Sequence, residues 1–199
     1  YEICSRDWSS DVCSSDLVRN GLLERVDKEI AHVAAGKGGR IRLKMNSLVD
    51  EQIIDALYKA SNAGVKVEVV VRGMCALRPG VPGLSENITV RSILGRYLEH
   101  SRVFIFDGAG DPSVFIGSAD MMHRNLDRRV EALVRISQPD HIKELVGLFD
   151  LAMDDKSSSW HLGADGEWTR HQYSATGEPL VDVQDKIMHD VYAKRNSKN

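Results

Sequence analysis

The sequence predicts an α/β fold, a mixed sheet flanked by helices, and three observations predict it. From residue 18 to residue 71, runs of helical period alternate with runs of strand period in the order helix, strand, helix, strand, the signature of parallel strands joined through helices. The second of these strands, "VKVEVVV" (65–71), is rich in β-branched residues. After a Pro/Gly loop, "RPGVPGLSEN" (78–87), short strand-like segments follow in quick succession.

Each element has its own justification. Leu22, Val26, Ile30 and Val33 recur at three or four residues, one face of a helix that stops at Gly36. "GKGGR" (36–40) lacks the Gly-Lys-Ser/Thr ending of a phosphate loop and follows a helix, so it reads as a helix-to-strand turn. "RIRLKM" (40–45) alternates as a strand. Ser47 is placed to cap the next helix, whose inner face is Val49, Ile53, Ile54, Leu57 and Ala60 and whose end is Gly64. Strands are expected at 88–93, 102–106, 113–118 and 128–136. A helix over 140–153 turns Ile142, Leu145, Val146 and Phe149 inward. "WHLGADGEW" (160–168) reads as an Asp-Gly hairpin with Trp160, Leu162 and Trp168 as packing groups, and a last amphipathic helix is expected from Val181 to Ala193.

The first seventeen residues, "YEICSRDWSSDVCSSDL", are unlike the rest: rich in Ser and Asp, without periodicity or a cap. Asp7 to Leu17 back-translates into a common sequencing-library adapter, so residues 1–17 are expected to be a translated artefact and disordered, to be set aside from fold reasoning. The remainder divides into a main domain over 18–155 and a hairpin-and-helix extension over 156–199.

Composition bounds the function. With 199 residues, 42% of them hydrophobic, the chain can bury one good-sized core. A net charge of -3 disfavours a duplex nucleic-acid binder that relies on a basic surface. No apolar run approaches the roughly 18 residues that cross a bilayer, and no secretory pattern opens the chain. Cys4, Cys13 and Cys75 are too few and scattered for a disulfide framework or zinc site, which points to reducing cytoplasm. "MMH" (121–123) reads as packing plus a surface histidine rather than a metal site.

The specific part of the sequence is "GRYLEHSRVFIF" (95–106). His100 and Arg102 lie two apart at the mouth of an apolar strand and so share a face. Asp107 follows, then "GSAD" (117–120), and arginines stand at Arg72 and Arg96. An imidazole here can attack phosphorus or protonate a leaving oxygen, and an adjacent cation offsets charge on phosphoryl oxygens. Arg72 ends a strand, where α/β sheets bind ligands, and its fork suits phosphate. Each residue also has an ordinary structural reading: Asp107 as a turn aspartate, Lys44 as a solvated strand end, and Arg129 as an ion-pair partner of Asp127 or Glu131.

The spacing His-x-Arg-x4-Asp followed by Gly-Ser resembles the His-x-Lys-x4-Asp…Gly-Ser signature of the phospholipase D superfamily, with Arg102 in place of lysine. The run from "GRIRLKMNSLVDEQ" through "RGMCALRPGVPGLSENITV" and "LEHSRVFIF" to "GSADMMHRNLDRRVE" narrows it. It resembles the last catalytic domain of polyphosphate kinase, the large family built on duplicated phospholipase-D-like domains. That resemblance implies a phospholipase-D-like sheet and a kinase that reversibly passes the terminal phosphate of ATP to polyphosphate. It implies a phosphohistidine in a missing upstream domain, with His100 as the partner histidine. Arg72 and His100 become nucleotide-contacting positions, Arg129 a phosphate contact, and Arg96, Arg102 and Lys44 further ATP/phosphate candidates. Magnesium, expected for the full-length enzyme, has its ligands outside this chain, and no metal ligand is assigned within it. The implied partners are ATP/ADP, inorganic polyphosphate, the upstream domains and, at full length, further copies of the protein, but no nucleic acid. The fragment alone is expected to be inactive. Two alternatives stand beside this: a single-motif phosphodiesterase or nuclease that completes its site as a homodimer, and an inert domain that binds polyphosphate or nucleotide.

Overall fold

The computed structural model describes the backbone of residues 12–13 and 15–196 and the side chains from Val18 onward. The expectation of disorder falls outside the described residues for 1–11 and 14. Val12–Cys13 form a short strand, β1, and helix α1 (Ser15–Ala34) begins within the segment expected to be disordered.

Three strands run parallel at the centre: β2 (Arg40–Met45), β3 (Lys66–Val71) and β4 (Ile88–Ser92). On the β2 side the sheet continues antiparallel through β5 (Val103–Phe106), β6 (Ser113–Gly117) and β7 (Leu133–Ile136) to β1. On the β4 side it continues antiparallel through β8 (Ser159–Leu162) and β9 (Trp168–His171). The spatial order is β1-β7-β6-β5-β2-β3-β4-β8-β9. The C-terminal hairpin therefore lengthens the main sheet.

Strand alternation sorts side chains onto two faces. Ile41, Leu43, Val67, Val69, Phe104 and Phe106 pack with α1 and with α2 (Glu51–Asn62). Val70, Val103, Ile105 and Val114 pack on the other face with α4 (Pro139–Met153) and α5 (Val183–Asn196). The polar positions of β2 follow the same parity: Arg42 reaches Asp150 of α4 at 3.2 Å and Asp107 at 3.1 Å.

Two local expectations are corrected. Asp50, not Ser47, caps α2, its Oδ1 accepting the Ile53 amide at 3.1 Å. The segment before it is held by neighbouring loops instead: the Ser47 carbonyl accepts from Met121 and the Leu48 amide donates to Met74. The strand expected over 128–136 is shorter, because His123–Arg128 form helix α3 and pairing starts only at Leu133. Val130, which supplied part of the apparent alternation, is 92% exposed.

Candidate active site

The antiparallel pairing brings distant segments to one edge of the sheet. The carboxyl ends of β2, β3, β4 and β6 and the amino end of β5 all open there. That edge carries Asn46, Arg72, Arg96, His100 and the "GSAD" turn.

His100 and Arg102 lie in the lead-in to β5, which begins at Val103 rather than at Arg102 as expected. The Arg102 carbonyl still accepts from the Gly117 amide at 3.2 Å, so the ladder continues past the strand's end. Arg102 Nη1 donates to the His100 carbonyl at 2.7 Å and meets His100 Nδ1 at 2.8 Å. The same Nη1 lies 3.4 Å from His100 Nε2, so the guanidinium sits against the nitrogen side of the ring. His100 is exposed and free to meet a ligand.

Arg102 is in turn gripped by Asp120, Nε on Oδ1 at 3.2 Å and Nη2 on Oδ2 at 2.9 Å. Asp120 Oδ1 also accepts the Asn46 amide at 2.7 Å, and Oδ2 accepts Asn46 Nδ2 at 3.1 Å. Burial pushes the Asp120 carboxyl up, but the hydrogen bonds from Arg102 and Asn46 together outweigh it and hold it below the usual carboxylate range. Asn46 Oδ1 accepts Arg72 Nε at 3.1 Å. A continuous polar line thus runs Arg72, Asn46, Asp120, Arg102, His100. Beside it lies an open groove of about 560 Å³, lined by Arg72, Arg96, Tyr97 and the segment 93–99.

The other expected residues differ in their surroundings. Arg102 is paired with Asp120 and bonds the His100 carbonyl. Lys44 faces the α4–α5 side, bonded to Glu99 at 2.8 Å and to Ser101 Oγ at 2.8 Å, and does not line the groove. Asp107 sits at the opposite end of β5 and pairs with Arg42, so it has a structural role. Arg129, just after α3, is exposed and makes no ion pair with a described residue; Asp127 is taken by Arg19 and His123, and Glu131 by Asn125. His123 of "MMH" bonds Glu51 and Asp127, and Met121 is fully buried. Sequence reasoning missed Asn46 and Asp120 as site residues. Asp120 lay within the quoted "GSAD", and Asn46 sits at the ligand-binding end of a parallel strand, the signal that singled out Arg72.

A family model described as the polyphosphate kinase C-terminal domain 2 matches residues 12–184. The chain belongs to that family. It is 60% identical over 171 residues to a polyphosphate kinase of Streptomyces coelicolor, covering 86% of this chain and 23% of that relative. It is 61% identical over 152 residues to one of Mycolicibacterium gilvum, covering 76% of this chain and 21% of the relative. The chain thus spans about a quarter or less of the length of these relatives. A solved polyphosphate kinase of Porphyromonas gingivalis superposes with a TM-score of 0.87 at 31% identity, covering 94% of this chain and 29% of that one. Nuc of Salmonella typhimurium, a phospholipase D family member, matches with a TM-score of 0.54 at 18% identity over 80% of this chain and 95% of its own. This second likeness shows that the domain has the phospholipase-D-like fold.

Proposed function

We propose that this chain is the C-terminal catalytic part of an enzyme that reversibly transfers the terminal phosphate of ATP to inorganic polyphosphate. The observation that carries the reading is the hydrogen-bonded line from Arg72 to His100, whose Arg72 end opens with Arg96 onto a groove. Phosphoryl transfer needs positioning and charge stabilisation more than covalent work by the protein. Arg72, held through Nε by Asn46, keeps its terminal nitrogens for phosphate oxygens. Arg96 is an exposed cation on the same groove, and Arg129 is a further one at the same edge. His100 is the partner histidine beside the transferred group, its exposed ring held in place by the Arg102 guanidinium.

The phosphohistidine of this reading belongs to a histidine upstream of the chain, and the full-length protein is a homo-oligomer of the cytoplasm. The reading also places the ligands of magnesium upstream, and no step here passes through it. No helix among the described residues is long and apolar enough to cross a membrane.

Calorimetric titration of the chain with tripolyphosphate and with ATP, at two salt concentrations, tests the reading. Salt-sensitive binding is expected, weakened roughly tenfold or more by Arg72→Ala, and labelled ATP should leave no acid-labile phosphate on the chain. Absence of binding, or an unchanged Arg72→Ala affinity, overturns it. A two-fold dimer that cleaves phosphodiesters would replace it with the single-motif hydrolase.

A further inference from the structure

We propose that Gln184, on the C-terminal helix, is a positioning residue of the groove, setting Arg96 and the approach to His100. The inference rests on the reading of the groove as a phosphate site.

The segment between β4 and β5 carries both residues and contains no regular structure after Ser92. Ile93 anchors its start at 5% exposure, but beyond it the apolar side chains do not hold it: Leu94 is 53% exposed, Tyr97 45% and Leu98 70%. Behind it lies a cavity of about 270 Å³ lined by Glu99, Ser101, Val103, Phe149, Val183 and Ile187, so packing from beneath is incomplete as well. What holds the middle of the segment is the Gln184 amide. Gln184 Oε1 accepts the Tyr97 amide at 2.8 Å, and Nε2 donates to the Tyr97 carbonyl at 2.8 Å and to Glu99 Oε1 at 2.8 Å. Both backbone groups of Tyr97 are thereby satisfied as a neighbouring strand would satisfy them.

Gln184 itself is fixed. It is 5% exposed, and its backbone amide donates to Asp182 Oδ1 at 2.9 Å in the cap of α5. The fit is close enough that a Cβ on Gly95 would lie 2.5 Å from Gln184 Oε1, so a side chain there would displace the amide. From Glu99 the hold passes on: its other carboxylate oxygen binds Lys44 at 2.8 Å, and Lys44 donates to Ser101 Oγ at 2.8 Å. Glu99 and Ser101 flank His100, and Gly95 and Tyr97 flank Arg96. A single side chain on α5 therefore fixes the backbone next to Arg96 and, through the Glu99 carboxylate, reaches the residue before His100.

A double-mutant cycle separates positioning from general loosening. Gln184→Met keeps the volume and removes the amide. Tripolyphosphate affinity of the 199-residue chain is measured for wild type, Gln184→Met, Arg96→Ala and the double variant, with thermal unfolding as a check on folding. Gln184→Met is expected to weaken binding roughly five- to tenfold with the melting transition retained, and to weaken it further by less than about twofold in the Arg96→Ala background. Equal affinity for Gln184→Met and wild type overturns the inference, as does an undiminished loss in the Arg96→Ala background. If Gln184→Met does not fold, Gly95→Ala, which displaces the same amide from the loop side, is put through the cycle in its place. A wild-type chain that does not bind tripolyphosphate at all overturns the phosphate reading itself, and the clasp then serves no such site.

Discussion

Arg102 and Asp120 form the pivot of the site: Nη2 lies 2.9 Å from Oδ2, and the two side chains are only 10% and 9% exposed. Eighteen residues of chain separate them, yet between them they hold the turn after β6, the end of β2 and the histidine before β5. Removing one partner strands a buried charge. Arg102→Ala and Asp120→Ala are each expected to cost about 3 to 5 kcal/mol, and the double variant less than the sum. Urea unfolding at neutral pH measures this, and single costs below about 1 kcal/mol would contradict the assigned burial.

Asn46 joins the pivot to Arg72. Asn46→Ala removes the hydrogen bonds to Asp120 Oδ2 and from Arg72 Nε and is expected to cost about 1 to 3 kcal/mol. It leaves the Arg72 charge in place, so tripolyphosphate affinity should fall less than in Arg72→Ala. The reverse order, read by calorimetry, would show that Asn46 itself contacts the ligand.

Gly95→Ala places a methyl where Gln184 Oε1 stands. The variant is expected to lose tripolyphosphate affinity to the same extent as Gln184→Met, and the two changes should not add. Additive losses would mean that Gly95 acts independently of the clasp.

The hairpin contributes a pH dependence. Burial first, then the Arg91 charge and the neighbouring His171, push the His161 imidazole down to about 4, and the two rings stack with centroids 4.0 Å apart. A histidine depressed in the folded state takes up its proton earlier in the unfolded chain. Its contribution is therefore intact above the ordinary histidine value of about 6.5 and is lost as pH falls from there towards 4. His161→Phe should flatten unfolding free energy across that window, and a proton NMR titration of His161 with a midpoint near 6.5 would refute the assignment.

The central parallel strands and the helices were legible because each has a pattern of its own: β-branched density in 65–71, and a helical stripe in Ile53, Ile54, Leu57 and Ala60, all buried. Boundaries failed where long-range contacts competed with local signals. Ser47 was a plausible cap until the loop at Met121 claimed its carbonyl, and "RRVEALVRI" alternated well enough to conceal a helix ending at Arg128. The structure brings Arg72, Arg96 and His100 to one edge of the sheet. Lys44 and Arg102 do not face the groove, since nothing local in the sequence indicates that carboxylates at Glu99 and Asp120 occupy them.

By itself the sequence determined the α/β class, the strand that Arg72 ends and the pairing of His100 with Arg102, because these depend on residues within a few positions of one another. The tertiary structure decided which charges are free and which are committed. Asp120 selects Arg102, Glu99 selects Lys44, Asn46 selects Arg72, and Gln184 reaches back 87 positions to Tyr97. A charged group's role depends on its nearest partner in space, and sheet order, with β5 beside β2 and β6 beside β5, sets those partners.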